Sequence, residues 1–144
     1  MKLVALLFIT YIFLGCDPGR TTLYSTQKCI ENFQPTNLIS ITSSAQKFDS
    51  NYVEVTGFYY SGFEKSALSN SKNSLYESSM LWVDFNSSLV DSLEKNKINN
   101  ENFFEKLSGK KIKIRGKIDF KDQGHLGQYA ATIKNVCYLE IYKW

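Results

Sequence analysis

The chain has 144 residues, a formal net charge of +3, and 43% hydrophobic, 15% aromatic and 22% charged residues. This composition is typical of a globular domain with a hydrophobic core and excludes an intrinsically disordered chain. The length suits a single ordinary domain, and the low net charge argues against a dedicated nucleic-acid binder, which is usually far more basic.

The N-terminal residues have the layout of an export signal. Lys2 is followed by an apolar stretch over residues 3–14 and then by Gly15 and Cys16. A membrane-spanning helix needs about 20 apolar residues, and this stretch is shorter. The pattern therefore predicts a signal peptide over residues 1–15 that is removed on export.

Residues 13–16, Phe-Leu-Gly-Cys, resemble the lipobox of bacterial lipoproteins. In that family the signal is cut before the cysteine, which carries diacylglycerol on sulfur and a fatty acid such as palmitate on nitrogen. The resemblance implies lipidation of Cys16 and durable anchoring by two or three acyl chains. It implies a bacterial cell-envelope location, on the inner or outer membrane, facing the periplasm or the exterior. The alternative is a plain secretory signal with an incidental cysteine.

The two remaining cysteines are Cys29 and Cys137. Outside the cytosol an even pair of cysteines favours a disulfide, and this one would close most of the domain into one loop. The alternative is a pair of buried, unbonded thiols, because the sequence does not show whether the two residues come within bonding range.

A flexible tether is predicted over residues 16–28, where proline, glycine and hydroxyl residues follow no sustained period. At about 3.3 to 3.6 Å per residue, residues 17–27 reach no further than roughly 40 Å. The folded domain is predicted over residues 29–144.

The sequence signals for the first two elements of that domain differ in strength. Residues 37–51 predict a short strand running into a single helical turn. Residues 52–60 predict a clearer strand, because they alternate, with Val53, Val55 and Tyr59 on the inward face.

A second alternating strand is predicted over residues 111–120. Its inward residues are Ile112, Ile114, Ile118 and Phe120. Gly57 and Gly116 occupy inward positions of the two strands, and a glycine inside a strand marks a bend, a bulge or a close backbone approach. The pair indicates a strongly coiled sheet.

Further elements lie between and after these strands. Residues 67–68 form a short apolar patch, residues 80–85 predict a strand, and residues 88–109 predict two helical pieces that end at a glycine. The final strand is predicted over residues 129–142, with an interruption near Asn135.

The resulting order is strand, short strand, strand, helix, strand, strand, which is the chain order of the OB-fold. The predicted fold is mainly β with one or two short helices: a single OB-like five-stranded Greek-key barrel after the signal peptide. Residues 41–136 also resemble a group of small, largely uncharacterised bacterial proteins with an OB-like domain. The segments that carry this resemblance are Tyr-Val-Glu-Val-Thr-Gly (52–57), Glu-Lys-Ser-Ala-Leu (64–68), Leu-Trp-Val-Asp (81–84), Gly-Lys-Lys-Ile (109–112) with Gly116, and Gly-His-Leu-Gly-Gln-Tyr (124–129). The resemblance implies a fold and no activity.

His125 is the single histidine and the first candidate for acid–base chemistry. Asp119 or Asp122 could orient its ring, and a serine could act as the nucleophile. The alternative is a loop histidine between Gly124 and Gly127 that forms structural hydrogen bonds. We favour the alternative and predict no catalytic residues.

Metal and cofactor motifs are absent from the sequence. It contains no CxxC or HxxxH spacing, no EF-hand loop, and neither GxxxxGK[ST] nor GxGxxG. The sequence therefore predicts no metal site and no cofactor.

Exposed aromatic residues are the remaining candidates for binding, because OB-folds hold oligonucleotides and oligosaccharides by stacking on aromatic rings. Tyr60, Phe63 and Tyr76 lie near predicted loops, and together with His125 they are the predicted ligand-binding residues. The outward face of the strand at 111–120 is a basic stripe of Lys111, Lys113, Arg115 and Lys117. This stripe is either a site for anionic lipid or a partner, or an ordinary solvated face.

The predicted function is that of a membrane-anchored envelope lipoprotein with a non-enzymatic binding or protein-interaction module for an unknown ligand. Its partners are the membrane, through acyl chains on Cys16, and an envelope protein or glycan. One alternative is an envelope hydrolase that uses His125. Others are a single-stranded nucleic-acid or oligosaccharide binder, by fold analogy, and a protector that neutralises a toxin or envelope enzyme.

Overall fold

The computed structural model describes residues 20–25, 29, 32–74, 76–85, 89, 91 and 102–142. Within these residues the protein is mainly β, with two short helices, so the mainly β class with one or two short helices is confirmed. The predicted signal peptide 1–15 and Cys16 lie outside the described residues. No helix in the described part of the chain is long and apolar enough to cross a membrane.

Seven strands form one mixed sheet. The strands are β1 (Arg20–Ser25), β2 (Gln34–Pro35), β3 (Tyr52–Gly62), β4 (Lys65–Ser69), β5 (Met80–Val83), β6 (Lys111–Asp119) and β7 (Ala131–Tyr142). The helices are α1 (Leu38–Ser43) and α2 (Phe103–Leu107), and single 3₁₀ turns occupy Ala45–Phe48, Glu77–Ser79 and His125–Gly127.

The pairings between five of the strands form a closed circuit that begins and ends at β3. β3 pairs antiparallel with β4, and β4 pairs antiparallel with β5. β5 then pairs parallel with β7, β7 pairs antiparallel with β6, and β6 pairs antiparallel with β3. β1 extends the sheet beyond β7, and the short β2 lies parallel to β3.

The core is built from the alternation of β3 and β6. Val53, Val55 and Tyr59 are buried, as predicted. Ile112, Ile114 and Ile118 of β6 are also buried and join the same hydrophobic cluster. Burying a side chain of this size contributes about 1.5 to 3 kcal/mol, so these six positions fix which face of each strand turns inward.

The segment at 37–51 is helical, and the predicted strand there was wrong. The Asn37 side chain accepts a hydrogen bond from the Ile39 N–H at 2.8 Å and caps the first turn of α1. Leu38 and Ile41, three residues apart, are both buried, which is the spacing of one helix face.

Gly57 and Gly116 lie where backbones approach closely. A Cβ atom on Gly57 would stand 2.8 Å from the Ser69 carbonyl oxygen, and one on Gly116 would stand 2.7 Å from the Lys134 carbonyl oxygen. The predicted interruption of the last strand is present too, because Asn135 has φ of 52° and the β6–β7 register shifts there. Both features bend the sheet.

A disulfide joins Cys29 to Cys137, with a Cα–Cα distance of 5.2 Å and a sequence separation of 108. The predicted pairing is therefore confirmed. The predicted tether at 16–28 contains β1, whose residues pair with the last part of β7 from Tyr138 to Tyr142.

Candidate functional site

Two turns that are far apart in the sequence meet at one end of the sheet. The first joins β3 to β4, and the second is the 3₁₀ turn His125–Gly127. The His125 Nε2 atom lies 3.1 Å from the Glu64 Oε2 atom, with the two side chains 32% and 53% exposed. This contact brings the predicted candidates Phe63 and His125 into one region.

Both turns contain a residue in the left-handed region. Glu64 has φ of 52° and Leu126 has φ of 55°. Residues other than glycine seldom adopt this conformation, and each such position costs about 1 to 3 kcal/mol. Strained backbone concentrates at functional sites, so this pair of adjacent turns is a candidate site.

The two turns carry two of the three most exposed apolar side chains of the described residues, and Tyr76, before β5, is the third. Phe63 is 93% exposed, Leu126 is 77% exposed and Tyr76 is 72% exposed. Ile39 and Tyr52 are the other large exposed hydrophobic residues in this part of the chain, and both are less exposed. We call the surface formed by Phe63 and Leu126, on the two turns joined by the Glu64–His125 contact, the apolar tip.

Lys65 connects the remaining candidates to the apolar tip. Its Nζ atom lies 3.6 Å from Glu77 Oε1, and Glu77 follows Tyr76 directly in the chain. The same Nζ atom lies 5.9 Å from the centre of the Tyr60 ring, within the range of a cation–π contact. Lys65 therefore links the Tyr60 ring, and the segment that carries Tyr76, to the β3–β4 turn.

Tyr60 has a structural contact of its own. Its hydroxyl donates to the carbonyl oxygens of Ser71 at 3.3 Å and Lys72 at 2.5 Å, which holds the segment after β4 against β3. Burial raises the pKa of this hydroxyl above its ordinary value of 10.0. Of the four candidates, Tyr60 is the one already engaged with the protein's own backbone.

The turn that carries His125 is packed on the outer surface of β5. A Cβ atom on Gly124 would lie 2.6 Å from the Trp82 side chain, so only glycine allows the turn to lie this close. The Trp82 and Tyr129 rings meet edge-on with centroids 5.1 Å apart. Burial, and then the charge of Glu77, raise the pKa of Tyr129. The turn that carries Leu126 therefore packs against the Trp82 side chain, which in turn contacts the Tyr129 ring.

The two aspartates predicted to orient His125 contact another residue. Lys134 Nζ lies 3.0 Å from Asp119 Oδ2 and 2.8 Å from Asp122 Oδ2. Hydrogen bonding to Lys134 lowers the pKa of both carboxyl groups below their ordinary value of 3.8. The carboxylate that faces His125 is that of Glu64.

The basic stripe is balanced by carboxylates at its centre. Arg115 Nε lies 2.7 Å from Glu54 Oε2, and Lys113 Nζ lies 3.6 Å from Glu54 Oε1 and 3.5 Å from Glu140 Oε2. The Glu140 side chain is only 5% exposed and also accepts a hydrogen bond from the Tyr138 hydroxyl. Burial alone would lower the pKa of Lys113, but these carboxylates raise it. The centre of the stripe is therefore a cross-strand ion-pair network.

Glu64 and Leu126 are functional candidates that the sequence analysis missed. Their identities carry no signal, because a glutamate and a leucine are unremarkable in a turn. The available signal was their position, since Glu64 closely follows Gly62 and Leu126 lies between Gly124 and Gly127.

Among the described residues, no group of three or more histidine, cysteine, aspartate or glutamate side chains could hold a metal ion. Comparisons with protein families, with curated proteins and with solved structures give no match to this chain.

Proposed function

We propose that the protein is a bacterial envelope lipoprotein, anchored by acyl chains on Cys16, with a non-enzymatic binding module over residues 29–144. The lipobox-like residues 13–16 support the anchor. The disulfide supports export, because such bonds persist outside the cytosol.

The binding module is an OB-like five-stranded Greek-key barrel in this proposal. The circuit of pairings through β3, β4, β5, β7 and β6 supports a barrel. The parallel pairing of β5 with β7, which are the third and fifth of these five strands in chain order, also supports it, as does the helix α2 before β6. In such barrels ligands bind to the face of the second and third strands and to the loops that join the first strand to the second and the fourth to the fifth. Phe63 lies on the β3–β4 loop and Leu126 on the β6–β7 loop, which hold these two places in the proposed barrel.

The apolar tip is the proposed binding surface. One observation carries this proposal: Leu126 combines a strained backbone with an exposed side chain. Its φ lies in the left-handed region, and its side chain is 77% exposed. An isolated exposed leucine needs no explanation, but exposed apolar residues gathered on strained turns mark an interaction site.

The chemistry of the tip suits a protein or a glycan. Phe63 offers a ring face for stacking, and Tyr76 offers a second one on the segment that Lys65 links to the tip through Glu77. Glu64, Lys65 and Glu77 offer hydrogen-bonding groups of both signs. A polyanionic nucleic acid would meet two carboxylates beside the aromatic rings, which argues against that partner.

The test is chemical cross-linking in membranes followed by recovery of the lipid-anchored protein. Wild-type protein should retain a specific partner, and a Phe63→Ala, Leu126→Ala double variant should lose it. Tyr52→Ala is the matched control, because Tyr52 is an exposed aromatic residue at the other end of β3. A wild-type protein that stays monomeric and unpartnered would contradict the proposal.

A hydrolase centred on His125 is the second candidate. The Glu64 carboxylate at 3.1 Å from His125 Nε2 favours it, because a carboxylate beside a histidine orients and strengthens a general base. Purified protein that hydrolyses an ester or glycoside should then lose turnover in His125→Ala. Full turnover in that variant would remove this candidate.

A further inference from the structure

A gap in the sheet lies beside the middle of β3. β2 ends at Pro35, whose partner is Glu54, and β4 ends at Ser69, whose partner is Phe58. Neither strand therefore extends along this side of β3 as far as Thr56, although β6 pairs with the same stretch on the other side.

The main chain of Thr56 points into this gap. The Glu54 carbonyl oxygen accepts a hydrogen bond from the Thr36 N–H at 2.9 Å, so the main-chain polar groups of Glu54 point towards β2. The N–H and C=O groups of alternate residues along a strand point to the same side. The N–H and C=O groups of Thr56 therefore face a ligand that enters the gap.

A cavity of about 410 Å³ opens at the gap, and we call it the gap pocket. Its polar lining comes from Glu54 and Thr56 of β3, from Thr36 and Asn37 before α1, and from Asn70 after β4. The volume lies in the range of small-molecule sites, which is about 300 to 1,000 Å³.

Two side chains of this lining have hydrogen-bonding roles that the fold fixes. The Asn37 amide oxygen accepts a hydrogen bond from the Ile39 N–H at 2.8 Å, which leaves the amide nitrogen as a donor. The Thr36 hydroxyl donates to the Gln34 carbonyl oxygen at 2.9 Å, which leaves the hydroxyl oxygen as an acceptor. The pocket thus offers donors and acceptors in preset places.

The charge beside the pocket is balanced. The Glu54 Oε2 atom lies 2.7 Å from Arg115 Nε, and its Oε1 atom lies 3.6 Å from Lys113 Nζ. Lys113 Nζ also lies 3.5 Å from Glu140 Oε2, so two cations face two carboxylates. The Glu54 oxygens keep lone pairs that can accept further hydrogen bonds, but the group favours neither an anion nor a cation.

We infer that the gap pocket binds a neutral saccharide unit. Sugar hydroxyls both donate and accept hydrogen bonds, which matches a lining of fixed donors and acceptors with balanced charge. An added peptide strand suits the gap less well, because strand addition relies on a row of main-chain hydrogen bonds and Glu54 and Phe58 already have partners.

The gap pocket is separate from the apolar tip. Thr56 and Phe63 are seven residues apart along the chain, mostly within β3, which corresponds to roughly 20 Å of strand. Saccharide binding in the gap pocket therefore goes beyond the proposed function and does not depend on it.

The experiment titrates the isotopically labelled, full-length exported protein with glucose, galactose, mannose and N-acetylglucosamine. NMR follows the Thr56 amide and the side-chain amides of Asn37 and Asn70, and glucuronate and glucosamine are the charged comparison ligands. A ligand of this size is expected to bind with a Kd in the millimolar range. At least one neutral sugar should give saturable shifts of all three groups, and the charged sugars should give smaller ones.

Two variants separate binding from folding. Asn70→Ala removes an exposed amide of the lining and should raise the Kd about fivefold. Asn37→Asp keeps the oxygen that caps α1 but loses the donor, so it should weaken binding without lowering the urea unfolding midpoint. Asn73→Ala is the matched control and should leave the Kd unchanged, because Asn73 is exposed on the same β4–β5 connection, outside the lining.

The absence of saturable shifts with all four neutral sugars would overturn the inference. Equal weakening by Asn70→Ala and Asn73→Ala would overturn it as well, because the sugar would then bind outside the gap pocket. Tighter binding of glucuronate or glucosamine than of every neutral sugar would show that the ligand class is wrong.

Discussion

The Nε2 atom of His125 lies 3.1 Å from the Oε2 atom of Glu64, and this pair joins two turns that each contain a left-handed residue. Because both side chains are substantially exposed, Glu64→Gln should change the free energy of unfolding by at most about 0.5 kcal/mol. Recovery of the cross-linked partner should nevertheless fall, since an uncharged amide holds the His125 ring less strongly than a carboxylate and the two turns are then joined more weakly. Unchanged recovery in both Glu64→Gln and His125→Ala would show that the pair does not organise the binding surface.

Two glycines of β3 should respond very differently to alanine. At Gly57 the added Cβ would lie 2.8 Å from the Ser69 carbonyl oxygen, whereas at Gly62 the nearest atom would be 4.0 Å away. Gly57→Ala should therefore lower the free energy of unfolding by about 3 kcal/mol, through overpacking. Gly62→Ala should stay within about 0.5 kcal/mol of wild type. Urea unfolding measures both, and equal stability of the two variants would contradict the close approach of β3 and β4.

Loss of the disulfide should destabilise the domain substantially. The Cys29–Cys137 bond closes a loop with a sequence separation of 108. Loop-closure entropy for a loop on the order of 100 residues is worth about 4 to 5 kcal/mol. Cys29→Ser and chemical reduction of the wild type should lower the unfolding midpoint to the same extent. Two titratable thiols in the unreduced, unfolded protein would show that the bond does not form.

The ion pairs of Lys134 should stabilise the fold in a defined pH range. Because the pKa values of Asp119 and Asp122 are lowered in the folded state, their contribution is present above the ordinary pKa of 3.8. It is lost as the pH falls through the lower folded values. The pKa of Lys134 is raised above 10.5, so the contribution persists to alkaline pH.

Lys134→Met should consequently be less stable than wild type at about pH 7, and this difference should shrink towards about pH 2. Urea unfolding of both proteins at the two pH values measures the difference in the free energy of unfolding. Lys121→Met is the control, because it removes a lysine from the exposed connection after β6. A difference between Lys134→Met and wild type that stays constant with pH would contradict this account of the pair.

The parts of the fold that follow alternation could be predicted from sequence. β3 and β6 place isoleucine, valine and tyrosine at every second position, and burial of those side chains fixes which face turns inward. The disulfide was predicted because two cysteines remain after Cys16 in a chain with an export signal. The alternation is a signal between neighbouring residues, and the number of cysteines does not depend on how the chain folds.

The parts that depend on long-range contacts could not be predicted. β1 is a polar segment that becomes a strand through its pairing with β7, and α1 forms from a segment of β-branched residues because Leu38 and Ile41 reach the core. The left-handed conformations of Glu64 and Leu126 have no counterpart in residue propensity. The apolar tip was therefore visible from sequence only through Phe63, as a separate aromatic candidate.

The intact mass of the protein extracted from membranes tests the central claim most directly. We predict a chain that begins at Cys16, carries the mass of a diacylglycerol and a fatty acid, and lacks the two hydrogen atoms lost in forming the Cys29–Cys137 bond. A chain that still contains residues 1–15 and carries no acyl group would contradict the account.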